Sequence, residues 1–162
     1  MAETFPTLFS SMHISNVELK NRIVSTGHDT TLIHHGRVTD DLVAYHEARA
    51  AGGAGLIVTQ VAGVHETARY TSHILMAVTD EVIEGYRKLT SACHKHGCKV
   101  FAQLFHPGRE IMEGQDGTVP VAFAPSVSPS ERFHTIPRAL PAKMIKEIID
   151  GYASAAVRLS SA

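Results

Sequence analysis

The sequence predicts an α/β fold, the N-terminal portion of a TIM (β/α)8 barrel with about three βα units. Three short apolar strands alternate with three helical segments, which favours a parallel sheet joined by right-handed crossovers. Polar residues gather directly after the strands, as they do at the catalytic face of such a barrel. A doubly wound nucleotide fold needs a glycine-rich turn after its first strand, and Gly27 stands alone here.

Local patterns place the individual elements. Strands are predicted at residues 22–26, 55–60 and 99–104, and helices at 40–51, 80–96 and 142–159. Thr39 is the expected cap of the first helix and Gly52-Gly53 its end, while Thr79 or Asp80 caps the second helix and Gly97 stops it. The inner face predicted for the third helix is Ile145, Ile148, Ile149, Tyr152, Ala156 and Leu159.

The remaining segments are predicted to be turns and loops. Tight turns are expected at residues 14–17 and 34–36, and a polar loop at 62–78. A long loop from residue 110 to Pro141 contains several Gly and Pro residues, among them Gly114. Loops of that length in compact domains are usually functional or disordered.

The predicted elements do not complete a barrel. A closed barrel needs about 250 residues and eight strands, whereas this sequence supplies three strands in 162 residues. We therefore expect residues 1–162 to form a partial TIM-barrel domain, truncated before the fourth strand. Its missing neighbours would be the C-terminal half of the barrel or a second copy.

Composition excludes several classes of protein. The hydrophobic fraction is 44% and the net charge −1, so neither a disordered chain nor a nucleic-acid-binding surface is expected. No apolar run approaches the roughly 20 residues of a membrane helix, and the N-terminus lacks signal-peptide features. Two cysteines, Cys93 and Cys98, are too few for a disulfide framework and are expected to be small core residues. A cytoplasmic protein is the expectation.

The segment from Lys99 to Arg109 combines a strand with an isolated amide. Five apolar or small residues predict a short buried strand that Gln103 interrupts, followed by a turn at Pro107-Gly108. A buried amide is costly unless a polar group pairs with it. Taken alone, Gln103 is a core amide that satisfies neighbouring backbone groups; the rest of the chain favours a planar polar ligand.

Several motifs occur together in a characteristic order and spacing. They are Leu19-Lys20-Asn21-Arg22-Ile23-Val24, the run Tyr45…Arg49-Ala50…Gly52-Gly53-Ala54-Gly55-Leu56-Ile57, Gln103-Leu104-Phe105-His106-Pro107-Gly108-Arg109, and Ala124-Pro125-Ser126 with the helix around Ile145. Together these motifs resemble the old yellow enzyme family of FMN-dependent NADH:flavin oxidoreductases. The segment 124–137 and the turn 106–109 are most similar to the branch of dienoyl-CoA reductases and trimethylamine-dehydrogenase-like demethylases.

The resemblance implies a flavin site and a hydride-transfer reaction. Non-covalent FMN is expected, with hydride passing between NAD(P)H or an amine substrate, flavin N5 and an acceptor such as an activated alkene. The protein supplies position and electrostatics to the cofactor. The cofactor-binding residues implied are Thr26, Gly27, His28, Asp29, Gln60, Val61 and Gln103, and Thr31, His106 and Arg109 are weaker candidates for substrate contact.

The sequence also departs from the family. Asp29 stands where some relatives have a cysteine, and Gly27 stands where many have proline. A carboxylate at position 29 is expected to lower the flavin reduction potential. The family's His pair, proton-donating Tyr and phosphate site are expected beyond Ala162, so the catalytic residues are unknown.

Alternative interpretations stay open for several residues. His28 is either a flavin-loop residue or a surface histidine, and His106 either lines the cavity or caps its turn. Arg109 either holds a substrate acid or pins the long loop. His94 and His96 are better explained by a solvated helix end than by a metal site. Two further functions remain: a truncated, non-catalytic barrel fragment, and a His-rich barrel metallohydrolase, for which no ligand spacing is found.

Overall fold

The computed structural model describes residues 4–112 and 117–162, and its central feature is a parallel sheet. Gly114, predicted to break the long loop, lies outside the described residues. The helices are α1 (Asp40–Ala51), α2 (Glu81–His94) and α3 (Ala142–Ser160). The strands are β1 (Met12–Ile14), β2 (Val17–Leu19), β3 (Val24–Ser25), β4 (Ile33–His34), β5 (Arg37–Val38), β6 (Leu56–Gly63), β7 (Leu75–Met76), β8 (Lys99–Phe105), β9 (Phe123–Ala124) and β10 (Arg138–Ala139).

The strand β6 is the centre of this sheet. It pairs in parallel with β3 through Val24 and Leu56, and with β8 along its whole length from Leu56 to Gly63. Near its carboxyl end β6 also pairs in parallel with β7, through Ala62 and Gly63. Because β8 already occupies one edge of β6 there, β7 lies on the other edge, which is the edge that β3 occupies further back. The predicted order of three parallel, adjacent strands is confirmed. The fold is that of the first three βα units of a TIM barrel.

The strand and loop boundaries differ from the predicted ones. The strand predicted at residues 22–26 is β3, which is only two residues long, and β6 extends three residues past the end predicted at residue 60. The predicted polar loop at 62–78 instead contains the end of β6, a short 3-10 helix (Glu66–Ala68) and β7. The early departure of the chain from β3 frees the edge of β6 that β7 then occupies. The prediction missed β7 because two residues carry no periodicity.

The helix ends follow the predicted chemistry for α1 and only in part for α2. The side chain of Thr39 accepts a hydrogen bond from the N–H of Leu42 at 3.2 Å. Gly53 ends the first helical segment with a φ of +109°, a conformation that side chains other than hydrogen rarely adopt. Asp80 precedes α2 without making a side-chain cap. Its carboxylate instead accepts a hydrogen bond from Arg158 on α3 at 2.7 Å.

Asn21 fixes the start of β3 to the loop that enters β6. Its side-chain Nδ2 donates to the carbonyl of Gly53 at 2.8 Å, and its Oδ1 accepts from the N–H of Ile23 at 3.0 Å. The amide is buried, and Gly55 lies so close to it that a Cβ there would collide. Both ends of this buried amide are therefore satisfied, which the fold requires of a polar group in the core.

The expectation that residues 99–104 form a buried strand is wrong. Within the described residues β8 pairs only with β6, so its other edge is open, and Gln103 is exposed. Its residues are exposed or half-buried along the whole strand. Apolar residues predicted burial because in a closed barrel both edges and both faces of such a strand are covered.

The inner face of α3 also differs from the predicted one. Ile145, Ile149 and Tyr152 are 43%, 62% and 37% exposed, whereas Ala155 is fully buried. The helix contacts the sheet through a narrow line that includes Gly151, where a Cβ would lie 2.5 Å from the carbonyl oxygen of Val64. The apolar side chains beyond this line are only partly covered, because β8 is the last strand on this side of the sheet within the described residues.

An apolar groove of about 350 Å³ runs between the open edge of β8 and the end of α3. Its lining residues are Val100, Phe101, Ala102, Leu104, Ala156, Leu159 and Ser160.

None of the helices within residues 4–112 and 117–162 is long and apolar enough to cross a membrane.

A buried histidine, His46, lies in the core, where burial disfavours the charged form of its ring. His46 on α1 is 2% exposed, and neither ring nitrogen has a hydrogen-bond partner among the described residues. Burial lowers the pKa of His46 to about 4, with the nearby charges of Arg49 and His28 acting in the same direction. His46 is therefore neutral in the folded chain at neutral pH.

We predict that exposed apolar residues on α3 promote self-association of the chain. Replacing Ile149 and Val157, which are 62% and 69% exposed, with lysine should reduce association in sedimentation velocity. Stability should change by no more than about 0.5 kcal/mol because these side chains bury little surface. Val127→Lys, at a position that is also 62% exposed but lies in the long loop, is the matched control. An equal effect of Val127→Lys would contradict the assignment to α3.

We also predict that His46 makes the chain less stable in mild acid. The unfolded state binds more protons between pH 6.5 and 4, so the stability present above pH 6.5 is lost as the pH falls toward 4. The shift corresponds to about 3 kcal/mol. His46→Leu should raise the free energy of unfolding at pH 7 by about 1–3 kcal/mol, since it removes unpaired buried polar atoms, and should flatten this pH dependence.

Urea unfolding at several pH values measures both effects. The control is His94→Leu, which replaces an exposed histidine of α2 and should change neither the stability at pH 7 nor its pH dependence. If the difference between wild type and His46→Leu were constant from pH 7 to pH 4, His46 would not be the group responsible.

Candidate functional site

The implied cofactor-binding residues come together at the carboxyl ends of three neighbouring strands. Residues 26–31 leave the sheet directly after β3, Gln60 and Val61 lie in the second half of β6, and Gln103 lies in the second half of β8. Because the three strands are parallel, these ends share one edge of the sheet. In TIM barrels this edge carries the active site.

The loop after β3, residues 26–31, is tied to β6 by a side-chain hydrogen bond. Thr30 Oγ1 donates to Gln60 Oε1 at 2.7 Å, and Gln60 Nε2 donates to the carbonyl of His73 at 3.1 Å. Gln60 is 1% exposed. Both ends of its amide are thus occupied by protein groups. Only the backbone of Gln60 remains for contact with a ligand, and its side chain holds the loop.

Successive side chains of β6 are buried because both faces of this central strand are covered, and a β-bulge lies in its middle. The register with β8 shifts between Val58 and Val61. Thr59 and Gln60 within the bulge are 0% and 1% exposed. The hydroxyl of Thr59 lies 3.4 Å from that of Tyr86 on α2, while Gln60 reaches the loop after β3. Bulges often redirect side chains beside functional sites.

Asp29 connects the same loop to Val61. The pKa of its carboxyl is raised chiefly by burial, an effect that the neighbouring His28 and the backbone of Val61 oppose. Two of the implied flavin contacts, Asp29 and Val61, therefore lie side by side. Asp29 also brings a carboxylate to the edge where the three strands end.

Gly27 and Gln103 approach each other across the sheet. A Cβ at position 27 would lie 2.5 Å from Gln103 Oε1 and 2.8 Å from the carbonyl oxygen of Thr59. The Gln103 side chain therefore spans β6 to reach the loop after β3. No residue in the described ranges hydrogen-bonds its amide, which is exposed at the strand ends. The amide is free to pair with a planar polar ligand, and glycine at 27 keeps this space open.

The His28 side chain faces α1. Its Nδ1 lies 3.0 Å from the carbonyl oxygen of Thr26, and its Nε2 is hydrogen-bonded to the hydroxyl of Tyr45. The rings of His28 and Tyr45 meet edge to face with centroids 5.7 Å apart. His28 thus belongs to the loop after β3, and its imidazole is used to hold that loop.

His106 caps its own turn and joins a chain of hydrogen bonds. The N–H of Gly108 donates to His106 Nδ1 at 3.1 Å, so His106 Nε2 carries the proton and donates to Thr67 Oγ1 at 2.9 Å. The Thr67 hydroxyl lies 2.7 Å from His65 Nδ1. Burial, and then the neighbouring His65, lower the pKa of His106. Both ring nitrogens are therefore occupied by protein groups.

Arg109 holds the long loop. Its guanidinium donates to the hydroxyl of Ser128 at 2.9 Å, and its carbonyl accepts from the hydroxyl of Thr135 at 2.7 Å. Glu110 accepts from Ser130 at 2.9 Å. The loop also forms a short parallel pair, β9 with β10, which its Gly and Pro content did not predict. Among the weaker substrate candidates, Thr31 is exposed near the same edge.

The other reactive side chains lie away from this edge. Cys93 and Cys98 are buried as predicted, and burial raises the pKa of Cys93 to about 12. His94 and His96 are exposed at the end of α2. In the described part of the chain, no three His, Cys, Asp or Glu residues lie close enough together to hold a metal ion.

Sequence reasoning missed three of the side chains that organise this edge. Thr30, Tyr45 and Thr67 each hydrogen-bond a residue that the sequence had singled out. Thr30 could have been identified from the sequence as a site residue, because it lies in the polar loop directly after a predicted strand. The roles of Tyr45 and Thr67 depend on which histidine lies beside them, which only the fold determines.

This chain is similar in sequence to named proteins and similar in fold to proteins of known structure. The family model described as NADH:flavin oxidoreductase / NADH oxidase matches residues 7–162. Among curated proteins, the NADH oxidase of Thermoanaerobacter brockii is 37% identical over 161 residues, 98% of this chain and 24% of that protein. The NADPH dehydrogenase of Bacillus subtilis is 33% identical over 158 residues, 96% of this chain and 45% of that protein.

Solved structures give the same result. The old yellow enzyme homologue from Zymomonas mobilis superposes with a TM-score of 0.81 at 25% identity, and a morphinone reductase variant in complex with tetrahydroNAD with a TM-score of 0.83 at 26% identity. Each superposition covers 96% of this chain and 46% of the other. The chain therefore spans less than half the length of these relatives. On the match over residues 7–162, the chain belongs to the NADH:flavin oxidoreductase / NADH oxidase family.

Proposed function

We propose that residues 1–162 supply the first three βα units, and part of the flavin cradle, of an FMN-dependent oxidoreductase barrel. Its reaction passes hydride between NAD(P)H or an amine substrate, flavin N5 and an acceptor such as an activated alkene. The observation that carries the proposal is the unpaired Gln103 amide, which lies against Gly27 at the edge where β3, β6 and β8 end.

The residues at this edge fit the chemistry of a flavin ring. The pyrimidine edge of the ring both donates and accepts hydrogen bonds, and the Gln103 amide does the same through its two polar atoms. The residues that would hold the ring are Thr26, Gly27, His28 and Asp29 of the loop after β3, the backbone of Gln60 and Val61, and Gln103. When bound, FMN supplies hydride exchange at N5, which no side chain can provide.

These residues have different roles, which follow from their contacts and charges. The contacts Thr30–Gln60 and Asp29–Val61 hold the loop after β3 rigid, so that its backbone is already ordered when a ligand binds. The Asp29 carboxylate disfavours additional negative charge on a neighbouring ring and therefore lowers its reduction potential. Gln103 fixes the orientation of the ring by pairing with one edge.

The residues proposed for substrate contact are Thr31, His106 and Arg109. The hydrogen bonds of His106 to Thr67 and of Arg109 to Ser128 hold these two side chains in place at the rim of the site. Thr31 is the exposed polar side chain of the three. The partner of this site is a small molecule.

The second candidate is a non-catalytic barrel fragment that keeps only part of the flavin cradle. The open edge of β8 and the exposed apolar face of α3 favour it for a chain of this length standing alone. Reading the coding DNA past the codon for Ala162 separates the two. A further strand carrying a His pair supports the oxidoreductase, and a stop codon at that point supports the fragment.

We predict that Gln103→Leu weakens FMN binding by the full translation product that contains residues 1–162. Leucine has a similar volume, so the packing loss is small. The variant loses hydrogen bonds worth about 0.5–1.5 kcal/mol each and leaves polar atoms of the ring unpaired at about 1–3 kcal/mol. A sum of about 2–4 kcal/mol corresponds to a roughly 30- to 1000-fold increase in Kd, measured by fluorescence titration.

The matched control is Lys99→Leu, an exposed position at the other end of the same strand. This variant should bind FMN as the wild type does. Equal dissociation constants for wild type and a folded Gln103→Leu variant would mean that Gln103 does not contact the flavin.

A further inference from the structure

We propose that Tyr45 is a positioning residue for the flavin: acting through His28, it fixes the backbone of the loop after β3, which would contact the cofactor. The inference rests on the proposed function and goes beyond the cofactor-binding residues that the resemblance implies, since Tyr45 lies on α1 and is not one of them. Its evidence is the direction of two hydrogen bonds and the way the Tyr45 ring is held.

The bonds of His28 have a defined direction. The carbonyl of Thr26 can only accept, so the hydrogen of a neutral His28 ring lies on Nδ1, which is 3.0 Å from that oxygen. Nε2 is then an acceptor, and the hydroxyl of Tyr45 donates to it. Tyr45 therefore holds the imidazole, and the imidazole holds the carbonyl of the last residue before Gly27.

The Tyr45 ring is itself held on α1. The Arg49 guanidinium lies over the ring at 3.3 Å from its centroid, and Arg49 Nη1 donates to the Tyr45 carbonyl at 2.8 Å. The ring also meets His46 edge to face, at a centroid distance of 5.2 Å. A ring that is already held by two neighbours loses little conformational entropy when it binds a further group. Tyr45 is consequently a rigid donor.

The loop after β3 is then tethered at both ends. Thr30 and Asp29 fix its far end to β6, and His28 fixes its near end to α1 through Tyr45. Gly27 lies between the two tethers, where its backbone approaches Gln103. A shift of the near end therefore moves the backbone that lies beside Gln103, which explains how a hydroxyl on α1 acts on ligand binding.

The test begins with the side chain of His28 in the 162-residue chain. Long-range ¹⁵N–¹H spectra distinguish the two neutral tautomers, and we expect His28 to carry its hydrogen on Nδ1. Tyr45→Phe keeps the ring and its contact with Arg49 but removes the donor. Amide hydrogen exchange in residues 27–31 should become at least several-fold faster, while exchange in α1 stays unchanged. A His28 ring protonated at Nε2 in the wild type would overturn the proposal.

The second measurement is FMN affinity in the full translation product. Loss of one hydrogen bond predicts a roughly 3- to 10-fold increase in Kd for Tyr45→Phe. Because Tyr45 acts through His28, the double variant Tyr45→Phe/His28→Ala should bind no more weakly than His28→Ala alone. Tyr152→Phe removes a hydroxyl from a partly exposed tyrosine of α3 and should leave Kd unchanged.

The outcomes separate this inference from the proposed function. If the wild type binds FMN and Tyr45→Phe binds it equally well, or if the two substitutions are additive, the positioning role is wrong and the flavin site stands. If the wild type binds no FMN, both are wrong. A non-additive loss together with faster exchange in residues 27–31 supports the positioning role.

Discussion

The parallel pairing of β6 with strands on both of its edges is the constraint on which the site depends. Its register aligns the ends of β3 and β8, so that residues 26–31, 60–61 and 103 share one edge of the sheet. Gln60 lies in the bulge between Val58 and Val61, and its side chain is hydrogen-bonded to Thr30 of the loop after β3. Without that register, Gly27 and Gln103 would lie too far apart for one ligand to contact both.

The open edge of β8 accounts for the apolar surface that is exposed on α3 and in the neighbouring groove. In a closed barrel a fourth strand pairs with such an edge and a fourth helix packs against the preceding one. Here the residues in those places, such as Leu104 in the groove and Ile149 on α3, are half-buried or exposed. The same surface explains why the chain is compact around α1 and α2 but poorly covered near α3.

Much of the fold followed from local chemistry, and the rest required knowledge of neighbours. Thr39, Gly53 and the periodic apolar residues of α2 predicted their elements because capping and burial there depend on nearby residues. Strand β8 and α3 were expected to be buried because their sequences suit a closed barrel, and only the pairing shows which neighbours are present. The resemblance singled out Gly27, Asp29 and Gln103 as site residues, whereas the contacts of Tyr45 and Thr67 with a histidine became visible only in the fold.

The central claim is that this edge of the sheet binds an isoalloxazine ring. An ¹⁵N NMR titration of the 162-residue chain with riboflavin and with FMN tests it most directly. We expect the amides of residues 26–31, 60–61 and 103 to shift in the same way with both ligands, because the phosphate site of such barrels lies after strands 7 and 8. Shifts confined to another surface, or no shifts at millimolar ligand, would contradict the account.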